Sequence, residues 1–266
     1  MRSWGLEVVE MPHLHAHHRY TAGSRAQRSA DLLAALTGPH IHAVWYARGG
    51  SGTVHLLPHI PLHQLDNRPV IGFSDATSLL SHLWNHRVGR PIHGPVLHTL
   101  GTTNDAPSVA ATKALLMGTP TTVCWQGSVL RPGPTVRAPL VGGNLCVLAS
   151  TCGTPFQLQA GGCILLLEEI GEQPYKVDRL LTQLRLAGVF EGVKGVVVGD
   201  FIGCRPPDGA DWTILDVVDE ALDGLSIPIL SHVPVGHGAR NHPFEMGAPV
   251  ELTSCGSLRF LARPTV

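Results

Sequence analysis

The sequence lacks an excess of charge of either sign, a long apolar run and any paired-cysteine motif. Its 19 basic and 20 acidic residues leave no electrostatic footprint for nucleic acid or an anionic membrane. No apolar run approaches the roughly 20 residues that span a bilayer, and the first residues lack the apolar core of a secretory signal. We therefore expect a cytoplasmic protein with no nucleic-acid or membrane partner.

The cysteines and histidines give no metal pattern. The six cysteines form neither a CxxC pair nor a zinc-type spacing, so we interpret them as reduced thiols. In the stretch 13–18, three of the four histidines would share one face of an extended strand. No acidic residue or cysteine is interleaved, and HExxH is absent. An exposed His-rich surface is the favoured interpretation, and we predict no metal and no cofactor.

Short apolar runs alternate with helical patterns in the first half of the 266-residue chain, whose length suits one large domain or two modest ones. The predicted strands are 6–9, 43–46 and 70–73, and the predicted helices are 26–36 and the segment after Ser74. This alternation predicts βαβ units and a parallel sheet. Functional groups of such a sheet gather at the carboxyl ends of its strands.

A Pro/Gly-rich segment at 131–139 interrupts this pattern. Beyond it, the unbroken apolar runs 163–167 and 193–198 predict buried strands, and 176–186 between them predicts a helix. The chain is thus predicted to consist of an N-terminal α/β domain at 1–120, a linker at 121–139 and a C-terminal β/α domain at 140–266.

The residues Gly-Phe-Ser-Asp-Ala at 72–76 join a predicted strand to a predicted helix. A serine between small residues at such a turn is typical of a nucleophile elbow, which lifts the hydroxyl clear of the sheet. The next backbone N–H then lies near a helix N-terminus, where an oxyanion can bind. Taken alone, the same pattern also fits a serine that merely caps a helix.

Three other segments carry candidate chemistry. The turn Arg-Gly-Gly-Ser-Gly at 48–52 follows a strand and can offer backbone N–H groups to an anion; it is neither a Walker loop nor a dinucleotide fingerprint. Glu168 and Glu169 end a buried strand, and neighbouring side chains on a strand face opposite ways, so at most one enters a shared site. His237, between two glycines, is a candidate general base.

The order Ser74, Glu168, His237 repeats the serine, acid, histidine order of α/β-hydrolases, which are therefore a competing fold. The absence of a lid-sized apolar insertion weighs against that fold. The acid also lies beyond the Pro-rich boundary, which indicates a site built between two domains.

In combination, the motifs resemble the LD-carboxypeptidase family of serine peptidases, which also contains the microcin-immunity hydrolases. The resemblance covers nearly the whole chain from about residue 20. Single motifs of this length are weak signals, but many motifs in the right order are specific. The matching segments are Ala30-Asp31-Leu32, Arg48-Gly49-Gly50, 71–75, His93-Gly94-Pro95, 141–145, 167–169, 172–179, 187–190, 195–199, Gly236-His237-Gly238 and Asn241.

The resemblance implies a role for each candidate residue. Ser74 would be the nucleophile, His237 the base, and Glu168 the acid that orients it. The backbone N–H groups of Gly50 and Asp75 would form the oxyanion hole. The implied fold is an N-terminal flavodoxin-like parallel-sheet domain and a C-terminal mixed β/α domain, with the active site between them and the chain in a homodimer.

The activity implied is that of a cytoplasmic LD-carboxypeptidase in cell-wall recycling. It would cut a muropeptide tetrapeptide between the L-centre of the diamino acid and the terminal D-alanine. Two alternatives stay open: an immunity-type hydrolase of peptidyl-nucleotides or acyl-sulfamoyl adenylates, and an inactive muropeptide-binding module.

The sequence departs from the family pattern in two places. Family members start with a further βα unit before the segment matching 1–10, so we expect either a first sheet that is one strand short or a natural start upstream of residue 1. Ser51 stands where the family has a tyrosine. This difference leaves open which substrates are accepted, but it does not affect the expected triad.

Overall fold

The computed structural model of the protein describes residues 1–119 and 123–262. The strands are β1 (Val44–Trp45), β2 (Pro69–Gly72), β3 (Arg90–His93), β4 (Cys124–Gln126), β5 (Ser128–Arg131), β6 (Val136–Asn144), β7 (Ile164–Ile170), β8 (Gly195–Ile202), β9 (Ile229–Ser231), β10 (Phe244–Glu245), β11 (Ala248–Leu252) and β12 (Ser257–Phe260). The α-helices are α1 (Arg25–Thr37), α2 (Thr77–His86), α3 (Leu97–Thr102), α4 (Ala106–Leu116), α5 (Leu145–Ser150), α6 (Pro174–Leu186) and α7 (Ile214–Ala221).

The first sheet of the described residues has the strand order β1-β2-β3-β10. Its first three strands are parallel, and β10 joins β3 antiparallel. The pairing of Gly72 with His93, and of His93 with Phe244, places the ends of three strands side by side. In parallel strands this edge is where loops that carry functional groups emerge.

The second sheet has the order β4-β12-β11-β6-β7-β8-β9-β5 in the part of the chain that the structure describes. Its centre, β6 to β9, is parallel, and the outer strands add antiparallel. The apolar runs of β7 and β8 are fully buried because parallel strands are covered on both faces. The two polar side chains of β7, Glu168 and Glu169, therefore lie near its carboxyl end.

The two sheets share one hydrophobic core, in which Leu79 and Leu83 of α2 lie in the same cluster as Leu145 and Leu148 of α5. A hydrogen bond from the backbone N–H of Asn144 to Thr77 Oγ1 (3.2 Å) also ties the end of β6 to the start of α2. The carboxyl ends of the two parallel sheets therefore meet around the start of α2. Among the described residues, no helix is long and apolar enough to cross a membrane.

Local signals in the sequence account for the helices and strands that were predicted correctly. Helix α1 begins at a capping box in which Ser24 and Gln27 exchange hydrogen bonds. Helix α6 begins with proline at its first position, where no N–H is needed. The predictions at 26–36, 43–46, 70–73, 163–167, 176–186 and 193–198 are each confirmed within a few residues at either end.

The strand predicted at 6–9 is wrong, since these residues form no strand or helix. The run has no buried face, because Val8 and Val9 are 37% and 55% exposed. A short apolar run without a pairing partner gains nothing from an extended conformation.

The segment predicted as a linker is described from residue 123 to 139, and this part contains β4, β5 and the start of β6. β4 and β5 both belong to the second sheet, and Trp125 is buried against Phe260 with ring centroids 4.7 Å apart. The Pro/Gly signal lies in the turn between β5 and β6. The predicted boundary at 120 and 121 and the last residues of the predicted second domain, 263–266, lie outside the described residues.

Candidate active site

Ser74 lies at a sharp turn between β2 and α2, in a short 3₁₀ turn that leads into the helix. Its φ of 60° is in the left-handed region, which costs a residue with a side chain about 1–2 kcal/mol. A side chain at Gly72 would place its Cβ 2.7 Å from that of Ala76, so the turn closes only with small residues at both positions. A strained serine on such a turn is the geometry of a nucleophile elbow.

The glycine-rich turn at 48–52 packs directly against this serine. A Cβ added to Gly49 would lie 3.2 Å from Ser74 Oγ, so the backbone of Gly49 is close to the hydroxyl. Within the described residues, no acceptor is hydrogen-bonded to the backbone N–H of Gly50 or Asp75. Both N–H groups are thus available to a bound oxygen.

Glu168 and His237 form a short hydrogen bond, 2.7 Å between Glu168 Oε2 and His237 Nδ1. The carboxylate is fully buried, and the imidazole is 13% exposed. The β7–β8 pairing shifts between Leu167 and Glu169, an irregularity of the kind that re-aims side chains beside active sites. Because the carboxylate accepts the Nδ1 proton, the other ring nitrogen, Nε2, is left to accept a proton.

Glu169 points away from His237. Its carboxylate accepts hydrogen bonds from Asn144 Nδ2 (3.0 Å), the Cys146 N–H (2.7 Å) and the Ile170 N–H (2.8 Å). Burial raises its pKa against the effect of these donors. Glu169 therefore holds the start of α5 and does not contact the histidine.

The surroundings of His237 raise its pKa above the ordinary value. Burial alone lowers the pKa, but the hydrogen bond to Glu168, the charge of Glu168 and the charge of Glu169 outweigh it. The pair thus stabilises the imidazolium form, as a general base requires when it takes a proton.

Phe73 connects the elbow to the base. Its ring lies 4.7 Å from that of His237 and 6.0 Å from that of His93, measured between centroids. His93 is fully buried and stacks on Phe244 at 5.1 Å. Burial lowers the pKa of His93 to about 4. The charge of Glu168 opposes this shift, and the charge of His237 adds to it. The ring is therefore neutral at pH 7.

The contacts of Gly49 with Ser74, of Phe73 with His237 and of His237 with Glu168 therefore bring the segments of these candidate residues together where the two sheets meet. Away from them, the His-rich stretch is tied to α1 by His13, whose Nδ1 lies 2.8 Å from Asp31 Oδ1. The described residues contain no group of three or more histidine, cysteine or acidic side chains that could hold a metal ion.

Sequence reasoning gave no role to three side chains around these candidate residues, namely Phe73, His93 and Thr53. His93 was part of a matched motif, and its position at the end of the strand after β2 was the signal that places it beside the elbow. Thr53 carried no signal, because its contact with Asp75 depends on how the glycine turn folds back. Ser51, which replaces the family's tyrosine, is exposed.

The fold and this site define a class, and comparison with known proteins agrees: the chain belongs to the LD-carboxypeptidase family. The N-terminal domain of that family matches residues 1–94 and its C-terminal domain matches residues 137–252. The family resemblance and the two-domain α/β fold expected from the sequence are thereby confirmed. The family makes the chain a peptidase of the carboxypeptidase kind.

Particular relatives include the murein tetrapeptide carboxypeptidase of Pseudomonas aeruginosa, which is 37% identical over 252 residues, 88% of this chain and 80% of the relative. The crystal structure of muramoyltetrapeptide carboxypeptidase from Oxalobacter formigenes has a TM-score of 0.82 at 30% identity and covers 99% of this chain and 92% of its own. The microcin immunity protein MccF, in complex with glutamyl sulfamoyl guanosine, has a TM-score of 0.81 at 20% identity over 96% and 86% of the two chains. At that identity the likeness to MccF concerns the fold alone.

Proposed function

We propose that the protein is a serine LD-carboxypeptidase that releases the terminal D-alanine from muropeptide tetrapeptides through a Ser74-His237-Glu168 triad. The observation that carries the proposal is the 2.7 Å hydrogen bond from His237 to the buried Glu168. The ring of this histidine also packs on Phe73, the residue before a serine in left-handed conformation. A structural histidine needs no buried carboxylate partner, whereas a general base gains from one.

In the proposed reaction, His237 Nε2 takes the proton of Ser74 Oγ as that oxygen attacks the carbonyl carbon of the diamino acid's L-centre. The carbonyl oxygen becomes an oxyanion that accepts hydrogen bonds from the backbone N–H groups of Gly50 and Asp75. The imidazolium then gives its proton to the amine of D-alanine, and the amide C–N bond breaks. Water, deprotonated by the same ring, hydrolyses the resulting acyl-serine and restores Ser74.

The substrate in this proposal follows the relatives of higher identity, which are named as murein tetrapeptide and muramoyltetrapeptide carboxypeptidases. The immunity-type alternative is supported by relatives of lower identity, in sequence and in fold. The family resemblance is also the support for two further parts of the proposal, a cytoplasmic site of action and a homodimer.

The proposal is tested by incubating the purified protein with a muramoyl tetrapeptide that ends in D-alanine and measuring free alanine. We expect release from this peptide and none from the matched peptide that ends in L-alanine. Hydrolysis of an acyl-sulfamoyl adenylate in place of the tetrapeptide would instead identify an immunity-type enzyme. Binding of the tetrapeptide without release would identify a binding module.

A further inference from the structure

The side chain of Asp75 has a partner that the triad does not explain. Its Oδ2 accepts two hydrogen bonds from one residue, from the backbone N–H of Thr53 at 2.9 Å and from Thr53 Oγ1 at 2.7 Å. Thr53 is only 4% exposed and begins the 3₁₀ helix that directly follows the glycine-rich turn. The residue after the nucleophile is therefore bonded to the far end of the turn that carries Gly50.

The near end of the same turn is held as well. Tyr46, just before the turn, donates its backbone N–H to Ile71 O (2.9 Å) in β2, and its hydroxyl lies 3.4 Å from Thr53 Oγ1. Arg28 Nη1 donates to Gly52 O at 2.9 Å. The turn is thus fixed at both ends and on its carbonyl side, although glycines make up much of its backbone.

This arrangement matters because the two free N–H groups beside Ser74 belong to different segments. One is on Asp75 in the elbow, and the other is on Gly50 in the turn. An oxyanion site works only when its donors are held at hydrogen-bond distance from the oxygen that develops charge. The contact between Asp75 and Thr53 is the shortest side-chain link between these two segments.

We propose that Asp75 and Thr53 are positioning residues that set the separation of the two oxyanion donors, so that Asp75 supplies one donor by its backbone and fixes the other by its carboxylate. This inference rests on the proposed function, since it needs Ser74 as the nucleophile and the two N–H groups as the oxyanion hole. Neither side chain touches the reacting atoms. Removing either side chain should weaken binding of the transition state more than binding of the substrate.

The test compares Thr53→Val, which removes the hydroxyl at constant shape, with Thr53→Ser, which keeps it. We expect Thr53→Val to lower kcat about 10- to 100-fold with KM within about threefold, because misplacement by about 1 Å costs that much. Thr53→Ser should recover most of the activity. Thr151→Val is the matched control, since Thr151 is also buried and its hydroxyl donates to Leu148 O at 2.9 Å, away from the elbow and the turn; it should leave kcat unchanged.

A second readout separates positioning from general loosening of the fold. A substrate-like boronic acid forms a tetrahedral adduct that fills the oxyanion hole, so Thr53→Val should weaken its binding by the same factor as kcat/KM. Binding of intact tetrapeptide in a Ser74→Ala background should not change. Asp75→Ala should resemble Thr53→Val, and the double variant should lose no more than the worse single one, as for residues acting through one contact.

The inference is overturned if Thr53→Val keeps kcat within twofold of the wild type, or if boronate and tetrapeptide binding fall together. If Thr53→Val does not fold, Asp75→Ala, which removes the acceptor of both hydrogen bonds, is measured in its place against the same criteria. Failure of the proposed function looks different, because the wild type would release no D-alanine or Ser74→Ala would stay active. That result overturns both proposals.

Discussion

The two adjacent carboxylates that end β7 have opposite environments. Glu168 contacts only His237 among the hydrogen-bonding side chains of the described chain, whereas Glu169 accepts three hydrogen bonds around the start of α5. Alternation along a strand accounts for this separation, because neighbouring side chains leave opposite faces. One carboxylate therefore lies against the proposed base, and the other holds the local fold.

We predict that Glu168→Gln lowers kcat by roughly 10²- to 10⁴-fold, since an amide cannot balance the charge of the imidazolium that forms on Ser74 deprotonation. Glu169→Gln should lower thermal stability and leave kcat nearly unchanged, because a buried acceptor is lost at the start of α5. Kinetics and thermal unfolding of both variants test the assignment. A larger loss of kcat in Glu169→Gln would reverse it.

The pH dependence of kcat/KM should have an acidic limb with its midpoint above 6.5, the ordinary value for histidine, because the pKa of His237 is raised. Activity is lost as the pH falls through that pKa, since a protonated ring cannot take the Ser74 proton. In Glu168→Gln the limb should move to lower pH, as the group that raises the pKa is gone while burial remains. A wild-type limb below 6.5 would contradict this account.

At the scale of elements, the active site depends on the elbow and the glycine turn lying in contact. Ser74 and Gly49 come from the ends of neighbouring parallel strands, β2 and β1. Their contact leaves little room for a side chain at Gly49. Small residues here serve close approach rather than flexibility.

We expect Gly49→Ala to lower kcat about tenfold or more with the fold intact, because its Cβ would lie 3.2 Å from Ser74 Oγ and push the hydroxyl off its position. Gly101→Ala is the matched control, since a Cβ there meets nothing within 4 Å. Gly101 lies in α3, where alanine should stabilise the helix by about 0.5–1 kcal/mol. Equal kcat values for the two variants would show that the turn does not touch the nucleophile.

The elements that could be predicted from sequence are those with a strong local pattern. The fully apolar runs of β7 and β8 and the capped helix α1 are of this kind. Strand β10, only two residues long, carries no such pattern and exists because β3 offers it a partner. Strands β4 and β5, in the segment predicted as a linker, were not predicted because the proline turn beside them is the stronger local signal.

For the candidate site, the sequence predicted the residues but not all of their contacts. Sequence order and motif resemblance identified Ser74, Glu168 and His237 as candidates, and the structure gives the pairing of the last two across 69 positions of sequence. The contact of Asp75 with Thr53 could not be predicted, because it joins two loops whose approach depends on tertiary folding. The direction of the His237 pKa shift also needed the structure, since burial and Glu168 act in opposite senses.

At the scale of the whole molecule, the candidate site lies where the two sheets meet. Ser74 comes from the first sheet, and Glu168 and His237 come from the second sheet and the loop that follows β9. The shared core and the bond from Asn144 to Thr77 hold these parts together. We propose that this junction makes Ser74 a nucleophile.

The most direct test of that claim is the rate of D-alanine release from a muramoyl tetrapeptide by Ser74→Ala, with Ser150→Ala as control. Ser150 is exposed on α5 and bonds only to Val147 O at 2.7 Å, so its variant should retain full activity. We predict that Ser74→Ala loses on the order of 10⁴-fold or more of kcat, as expected when one member of a triad is removed, with unchanged thermal unfolding. A Ser74→Ala variant that folds and keeps more than about a tenth of wild-type activity would show that Ser74 is not the nucleophile.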